Sequence, residues 1–224
     1  MSQLDRVSLH RHETLFCICI RSVQNGLALN CGTIQHRAAA PGKEAFAGPA
    51  CMTIIQCDYR RHAEPILAIF NDAIVNSTVL YEYKPRTMEM MAAWFEAKSK
   101  GKYPVIGLEN DSRELMGFAS YGTFRAFPGY KYTVEHSVYV DARFRGRGFG
   151  KRLLKEIIAA AQGQNYHTMV GVIDASNSVS IGLHEAFGFA CCGTIRQAGF
   201  KFGRWLDVLF YQLILPTPSQ PTDG

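Results

Sequence analysis

The residues with the clearest chemical content run from Val138 to Leu154, V-Y-V-D-A-R-F-R-G-R-G-F-G-K-R-L-L. The pattern predicts a buried strand, a glycine-rich turn and the first turn of a helix. Glycines in such a turn let backbone N–H groups converge without Cβ obstruction, and the helix dipole adds partial positive charge at the same point. A phosphate or pyrophosphate is the natural guest. Spacing separates the candidate motifs. A P-loop needs G-x-x-x-x-G-K-[ST], but Gly150 falls one residue short of that spacing from Gly146 and Lys151 is followed by Arg152. A dinucleotide fingerprint needs G-x-G-x-x-G, whereas Gly146, Gly148 and Gly150 give G-x-G-x-G. What remains is R-x-x-G-x-G from Arg145 to Gly150, and a glycine-rich turn holding no ligand is the plain alternative for that string alone.

The rest of the chain must position this turn. Met52 stands directly before a strand, T-I-I-Q-C, and Asp58 is suited to cap a helix to about Val75, with Ile66, Ile69, Phe70, Ala73 and Ile74 inward and Pro65 near the first turn. Thr87 caps a second helix that buries Met88, Met91, Trp94 and Phe95 and stops at Gly101. Pro104 to Leu108 and Leu115 to Phe124 form a hairpin through N-D-S at Asn110, followed by the aromatic loop F-R-A-F-P-G-Y-K-Y. Val134 to Val140 is the strand entering the glycine turn, and the helix beyond it reaches about Gln162. The apolar M-V-G-V-I from Met169 reads as a strand parallel to its predecessor and covered on both faces. A helix from about Ser178 to Phe187 and two long strands, near Ala190 to Arg196 and Trp205 to Leu215, complete an α+β fold: a mixed, twisted sheet of about seven strands with helices on both faces.

Composition bounds the function. The chain has 224 residues, 47% of them hydrophobic, enough for one sizeable core. No run approaches the ~20 apolar residues of a membrane span. The net charge of +5 is dispersed rather than gathered in a stripe, so a nucleic-acid groove is not expected. Seven cysteines include no C-x-x-C pair and no histidine at zinc-ligand spacing, which predicts reduced thiols, no metal and a cytoplasmic setting. Residues 1–51 carry no sustained period of 3.6 or 2 and are expected to be an extension, disordered or loosely packed, before a domain over 52–216 and a flexible tail over 217–224.

Four separated motifs then resemble one family. T-V-E-H-S-V-Y-V before R-G-R-G-F-G, N-S-V-S-I-G-L-H-E-A-F-G-F after the fifth strand, and Q-A-G-F-K-F-G-R-W-L-D-V near the end are similar to the phosphinothricin and methionine-sulfoximine N-acetyltransferase branch of the GNAT family, from Met52 to about Leu215. The resemblance implies the GNAT fold, with the fourth and fifth strands splayed, and acetyl-CoA as co-substrate. It implies that Val138, Tyr139 and Val140 pair with the pantetheine arm and that the Val140 N–H serves as oxyanion donor. Arg145, Gly146, Arg147, Gly148, Phe149 and Gly150 would hold the pyrophosphate, and Asn177 would contact pantetheine.

Acetyl transfer by direct attack needs a deprotonated amine, an oxyanion donor and a proton source for the thiolate. Glu135 matches the family carboxylate that takes the amine proton, directly or through water, and burial is expected to raise its basicity. His184 matches the position that protonates the thiolate, with a relay from the amine or a structural role as the alternatives. Arg125 is suited to clasp an α-carboxylate unless it is a solvated loop charge, and Phe127, Tyr130 and Tyr81 match positions around the substrate. His136 and His167 are expected to be structural or exposed. The function implied is N-acetylation of a small amino-acid-like amine in a detoxifying homodimer. A GNAT enzyme for protein N-termini or amine antibiotics, and a CoA-binding module without turnover, are the competing readings.

Overall fold

The computed structural model describes residues 52–223, so the extension expected over 1–51 lies outside the described residues. The chain opens with β1 (Thr53–Gln56) and α1 (Tyr59–Asn76). Asp58 caps α1 by accepting from the Arg61 N–H at 2.9 Å. Pro65, expected near the first turn, is instead well inside the helix, where its missing N–H leaves one carbonyl of the preceding turn without a helical donor. Thr87 caps α2 (Met88–Lys100), which ends at Gly101. Next come β2 (Val105–Glu109), β3 (Leu115–Thr123), β4 (Thr133–Val140), α3 (Phe149–Gly163), β5 (Thr168–Asp174), α4 (Ser178–Glu185), β6 (Ala190–Lys201) and β7 (Arg204–Ile214).

The strands form one sheet in the order β1-β2-β3-β4-β5-β7-β6, antiparallel throughout except for the parallel β4–β5 pair. Alternation along β4 divides the core. Val134, Val138 and Val140 pack with Leu153, Leu154 and Ile157 of α3, while Tyr139 joins Phe70 of α1 and Trp94 of α2 on the opposite face. Phe70 is the hub of the second cluster, edge-on to Trp94, Phe118 and Tyr139. Among the described residues no helix is long and apolar enough to cross a membrane.

The terminal hairpin is longer than its sequence suggests. G-F-K-F-G reads as a connection, but Phe200 pairs with Trp205 and Lys201 with Arg204, leaving a two-residue turn at Phe202 and Gly203, both at positive φ. That geometry matches the right-handed twist of the two strands. Lys201 supplies a further reason for the extension: its buried ammonium donates to the carbonyls of Ile74, Ser77 and Leu80, tying the hairpin to the end of α1. The Pro-rich tail, expected to be flexible, carries hydrogen bonds back to the domain, from the Thr217 hydroxyl to the Tyr166 carbonyl and between Thr222 and the Tyr132 hydroxyl.

Candidate active site

The site begins where two strands part. β4 and β5 pair only at Thr133–Thr168, Val134–Met169 and Glu135–Val170. Beyond that rung β5 continues against β7 while β4 continues against β3, so a gap opens toward their C-terminal ends. The Asp141 N–H donates to the Met116 carbonyl across β3. Alternation in an antiparallel ladder then turns the N–H groups of Val138 and Val140 the other way, into the gap. The splay expected of strands 4 and 5 is therefore present, and its β4 wall carries main-chain donors that no β5 rung meets.

At the far end of β4 the chain makes the glycine turn. Gly146 and Gly148 have φ of 79° and 81°, and a Cβ at either would stand in open space. Their requirement is thus conformational rather than steric: the left-handed backbone aims successive N–H groups outward ahead of α3, whose N-cap is Gly148. Phe149 and Gly150, in the first turn of that helix, are buried. These residues fit a diphosphate, and the exposed donors of β4 fit the amides of a pantetheine chain. Arg145 takes a different post. Its Nε donates to the Val140 carbonyl at 3.0 Å and its Nη2 to Asp72 of α1 at 2.9 Å, so the guanidinium braces the end of β4 against α1. Arg147 is exposed, with its guanidinium over the Phe144 ring.

Glu135 sits on the last rung, 3% exposed, and among the described residues neither carboxylate oxygen has a hydrogen-bond partner. Burial pushes its pKa up to about 8, against the lowering effects of the Arg125 and Lys98 charges. A buried carboxyl without a donor is costly, and it belongs where a ligand supplies the missing partner. Its side chain lies on the face of Val170, Val172 and Val208, which Tyr81, Phe124 and Phe210 cover. Arg125 is exposed, donates to the Phe124 carbonyl at 2.7 Å and lies over the Phe124 ring. Tyr130 packs edge-on to Phe124 and Phe127 is 74% exposed, so this aromatic loop forms an open rim. Tyr81 lies against Gly199, where a Cβ would come within 2.4 Å of its ring. Burial and the Asp174 carboxylate raise its phenol.

His184 lies on the other face, fully buried, with Nδ1 2.7 Å from the Ser180 carbonyl and Nε2 3.0 Å from Nε2 of His136. His136, expected to be structural or exposed, is buried beside it, and its own Nδ1 is 2.8 Å from the Val170 carbonyl. Asn177 caps α4, its Oδ1 accepting from the Ser180 N–H at 3.0 Å.

The predicted residues thus fall into three groups around one gap: the β4 donors and glycine turn along its edge, Glu135 with Arg125 and the aromatic rim on one face, and His184 on the other. Lys98 and Asp174 escaped the sequence reading, and the pairing of His136 with His184 did as well. Lys98 donates to the Tyr121 carbonyl at 2.7 Å near Gly122, the partner of Glu135; the helical spacing Met91, Trp94, Lys98 is the signal that it faces inward. Asp174 ends β5 with Oδ1 accepting from the Ser176 N–H and Oδ2 unpartnered among the described residues. His136 follows Glu135 directly and so faces the opposite side, which no spacing links to a residue 48 positions away.

Known proteins resemble this chain in sequence and fold. A model of the acetyltransferase (GNAT) family matches residues 67–189. An L-methionine sulfoximine/L-methionine sulfone acetyltransferase of Pseudomonas paraeruginosa is 46% identical over 157 residues, 70% of this chain and 91% of that protein. A phosphinothricin N-acetyltransferase of Streptomyces viridochromogenes is 34% identical over 157 residues, 68% of this chain and 84% of its own length. The crystal structure of a GNAT superfamily phosphinothricin acetyltransferase from Sinorhizobium meliloti in complex with AcCoA superposes with a TM-score of 0.73 at 31% identity, covering 77% of this chain and 94% of that one. With its splayed strands, its glycine turn and relatives of this similarity, the chain belongs to the GNAT family of acetyltransferases.

Proposed function

We propose that the chain transfers the acetyl group of acetyl-CoA to the α-amine of a small amino-acid-like substrate of the methionine sulfoximine, methionine sulfone or phosphinothricin type. The observation that carries this reading is Glu135, buried, without a hydrogen-bond partner among the described residues and raised in pKa to about 8 at the rung where the gap opens. A carboxylate of that basicity is matched to an amine that arrives as ammonium. Arg125, whose charge already acts on Glu135, holds the substrate carboxylate in bidentate fashion, and Phe127, Tyr130 and Tyr81 close around the side chain.

The geometry supports a role for each residue. Val138 and Val140 pair their gap-facing N–H groups with the pantetheine arm and with the thioester oxygen as negative charge develops there, while Tyr139 locks the strand between Phe118 and Phe70. Gly146 to Gly150 cradle the pyrophosphate, with Arg147 adding charge from solvent and Arg145 holding the Val140 carbonyl and thereby the donor strand. Asn177 sets the start of α4, from which His184 projects.

A homodimer is part of the proposal. Ile195, Phe200, Phe202 and Trp205 of the β6–β7 hairpin are 44 to 60% exposed, and Tyr83, 73% exposed, donates to the Phe200 carbonyl beside them. An apolar surface of this kind on an edge hairpin favours burial against a second copy. The biological role proposed is removal of toxic amino-acid analogues in the cytoplasm. Thiol release measured with methionine sulfoximine, methionine sulfone, phosphinothricin, ordinary amino acids and peptide N-termini tests the reading. Turnover confined to peptides overturns the substrate class, and failure to bind acetyl-CoA overturns the whole.

A further inference from the structure

His136 has no part in the roles assigned above, yet its ring is among the most enclosed polar groups of the domain. The four ring nitrogens of His136 and His184 form one chain: Val170 carbonyl, His136 Nδ1, His136 Nε2, His184 Nε2, His184 Nδ1 and Ser180 carbonyl, at 2.8, 3.0 and 2.7 Å in turn. A carbonyl only accepts, so both Nδ1 atoms carry protons. The contact between the two Nε2 atoms at 3.0 Å is a hydrogen bond only if one of them carries a proton as well. Hydrogen-bonded at every link, the chain requires three protons on four nitrogens, one more than two neutral imidazoles hold.

Three features accommodate the extra proton. His184 lies in the last turn of α4, where the helix dipole favours a cation. Both ends of the chain rest on carbonyl oxygens. Gly171 supplies the space, since a Cβ there would lie 2.9 Å from His136 Cε1 and 3.3 Å from His184 Cδ2 and Nε2. Burial opposes protonation of both rings, and a charge on His184 would lower His136 further. The place of His184 at the C-terminal end of α4 is what assigns the extra proton to it and leaves His136 as the acceptor.

We propose that His136 is a positioning residue for acetyl transfer: it accepts the Nε2–H of His184 and so keeps His184 as an imidazolium in the wall of the gap between β4 and β5. The proposal rests on the acetyltransferase reading of the site. In the step, the amine nitrogen forms a bond to the carbonyl carbon, the carbon–sulfur bond breaks, and its electron pair leaves on sulfur. His184 lets go of His136 and gives its Nε2 proton to that sulfur, retaining Nδ1–H on the Ser180 carbonyl. The ammonium substrate loses one proton to Glu135 before attack and another afterwards; both pass to solvent, and one solvent proton restores the pair.

The test uses the full chain with 15N-labelled histidine. At pH 7 the wild-type spectrum is expected to show three protons on the four nitrogens of this pair, and a spectrum with two overturns the proposal whatever the variants do. His136→Phe keeps the ring packing and is expected to lower kcat ~10²-fold while shifting KM for acetyl-CoA less than about threefold. His136→Gln, with an amide that both donates and accepts, is expected to recover a substantial part of that loss. An unchanged kcat in His136→Phe, beside an active wild type, refutes the inference and leaves the enzyme reading intact. A wild type that turns over no amine refutes the enzyme reading, and the proton count is still decided by the spectrum.

Discussion

Glu135 and Val170 form the last rung between β4 and β5. The buried carboxyl therefore stands at the vertex of the gap, beside the first point at which the β4 donors lose their β5 partners. In the proposed reaction, a base placed there would serve the amine while Val140 serves the carbonyl under attack. The proposed reaction centre lies at the sheet defect because the defect is what frees the main-chain groups.

Replacing Glu135 by Gln removes the proton acceptor and retains the volume. We expect kcat/KM for the amine to fall ~10²-fold or more with the fold retained. Stability should move the other way. With a folded pKa near 8, Glu135 keeps a proton that the unfolded chain releases at ordinary carboxylate pH, so wild-type stability declines as pH rises through that window to about 8. The Gln variant lacks this decline, and its melting temperature at pH 8 should equal or exceed that of the wild type.

The same pKa shapes activity. kcat/KM should climb with pH until Glu135 is ionised, with a limb near 8. The titration of the amine is common to wild type and variant, so subtracting the Glu135→Gln profile isolates the carboxylate. A wild-type profile identical in shape to that of the variant would sink the assignment of Glu135 as base.

Gly171 is buried against both imidazoles. Gly171→Ala puts a methyl 2.9 Å from His136 and should destabilise the domain by ~1–3 kcal/mol as the pair is displaced. Thermal unfolding monitored by circular dichroism, with kcat measured well below the transition, checks both the packing and the loss of activity.

Arg145 joins Asp72 to the Val140 carbonyl, and its half-buried ion pair should contribute on the order of 1 kcal/mol. Arg145→Ala should raise KM for acetyl-CoA and lower stability slightly. Arg145→Lys should restore little, since one ammonium cannot reproduce the fork that reaches both partners.

Trp205 is 60% exposed beside Phe200 on the terminal hairpin. Trp205→Glu places a charge in the proposed contact between copies and should shift the sedimentation coefficient from dimer to monomer. A wild type that sediments as a monomer across the micromolar range removes the dimer.

Much of the framework is legible along the chain. Caps at Asp58 and Thr87, apolar strand runs and the glycines of the turn act through near neighbours, and the structure has the corresponding elements within a residue or two. The exceptions have physical causes. β6 extends through G-F-K because pairing with Arg204 and Trp205, and the grip of Lys201 on three carbonyls of a distant segment, outweigh the local turn tendency of its glycines.

The sequence by itself determined the sheet's composition, the glycine turn and the identity of Glu135 and His184 as groups worth watching, because local pattern and motif order carry that information. Tertiary structure alone decided the state of those groups. The burial of Glu135 without a partner among the described residues, the bond of Arg145 to Asp72 and the meeting of His136 with His184 each arise where distant segments fold together and exclude water, and desolvation depends on all the surrounding atoms.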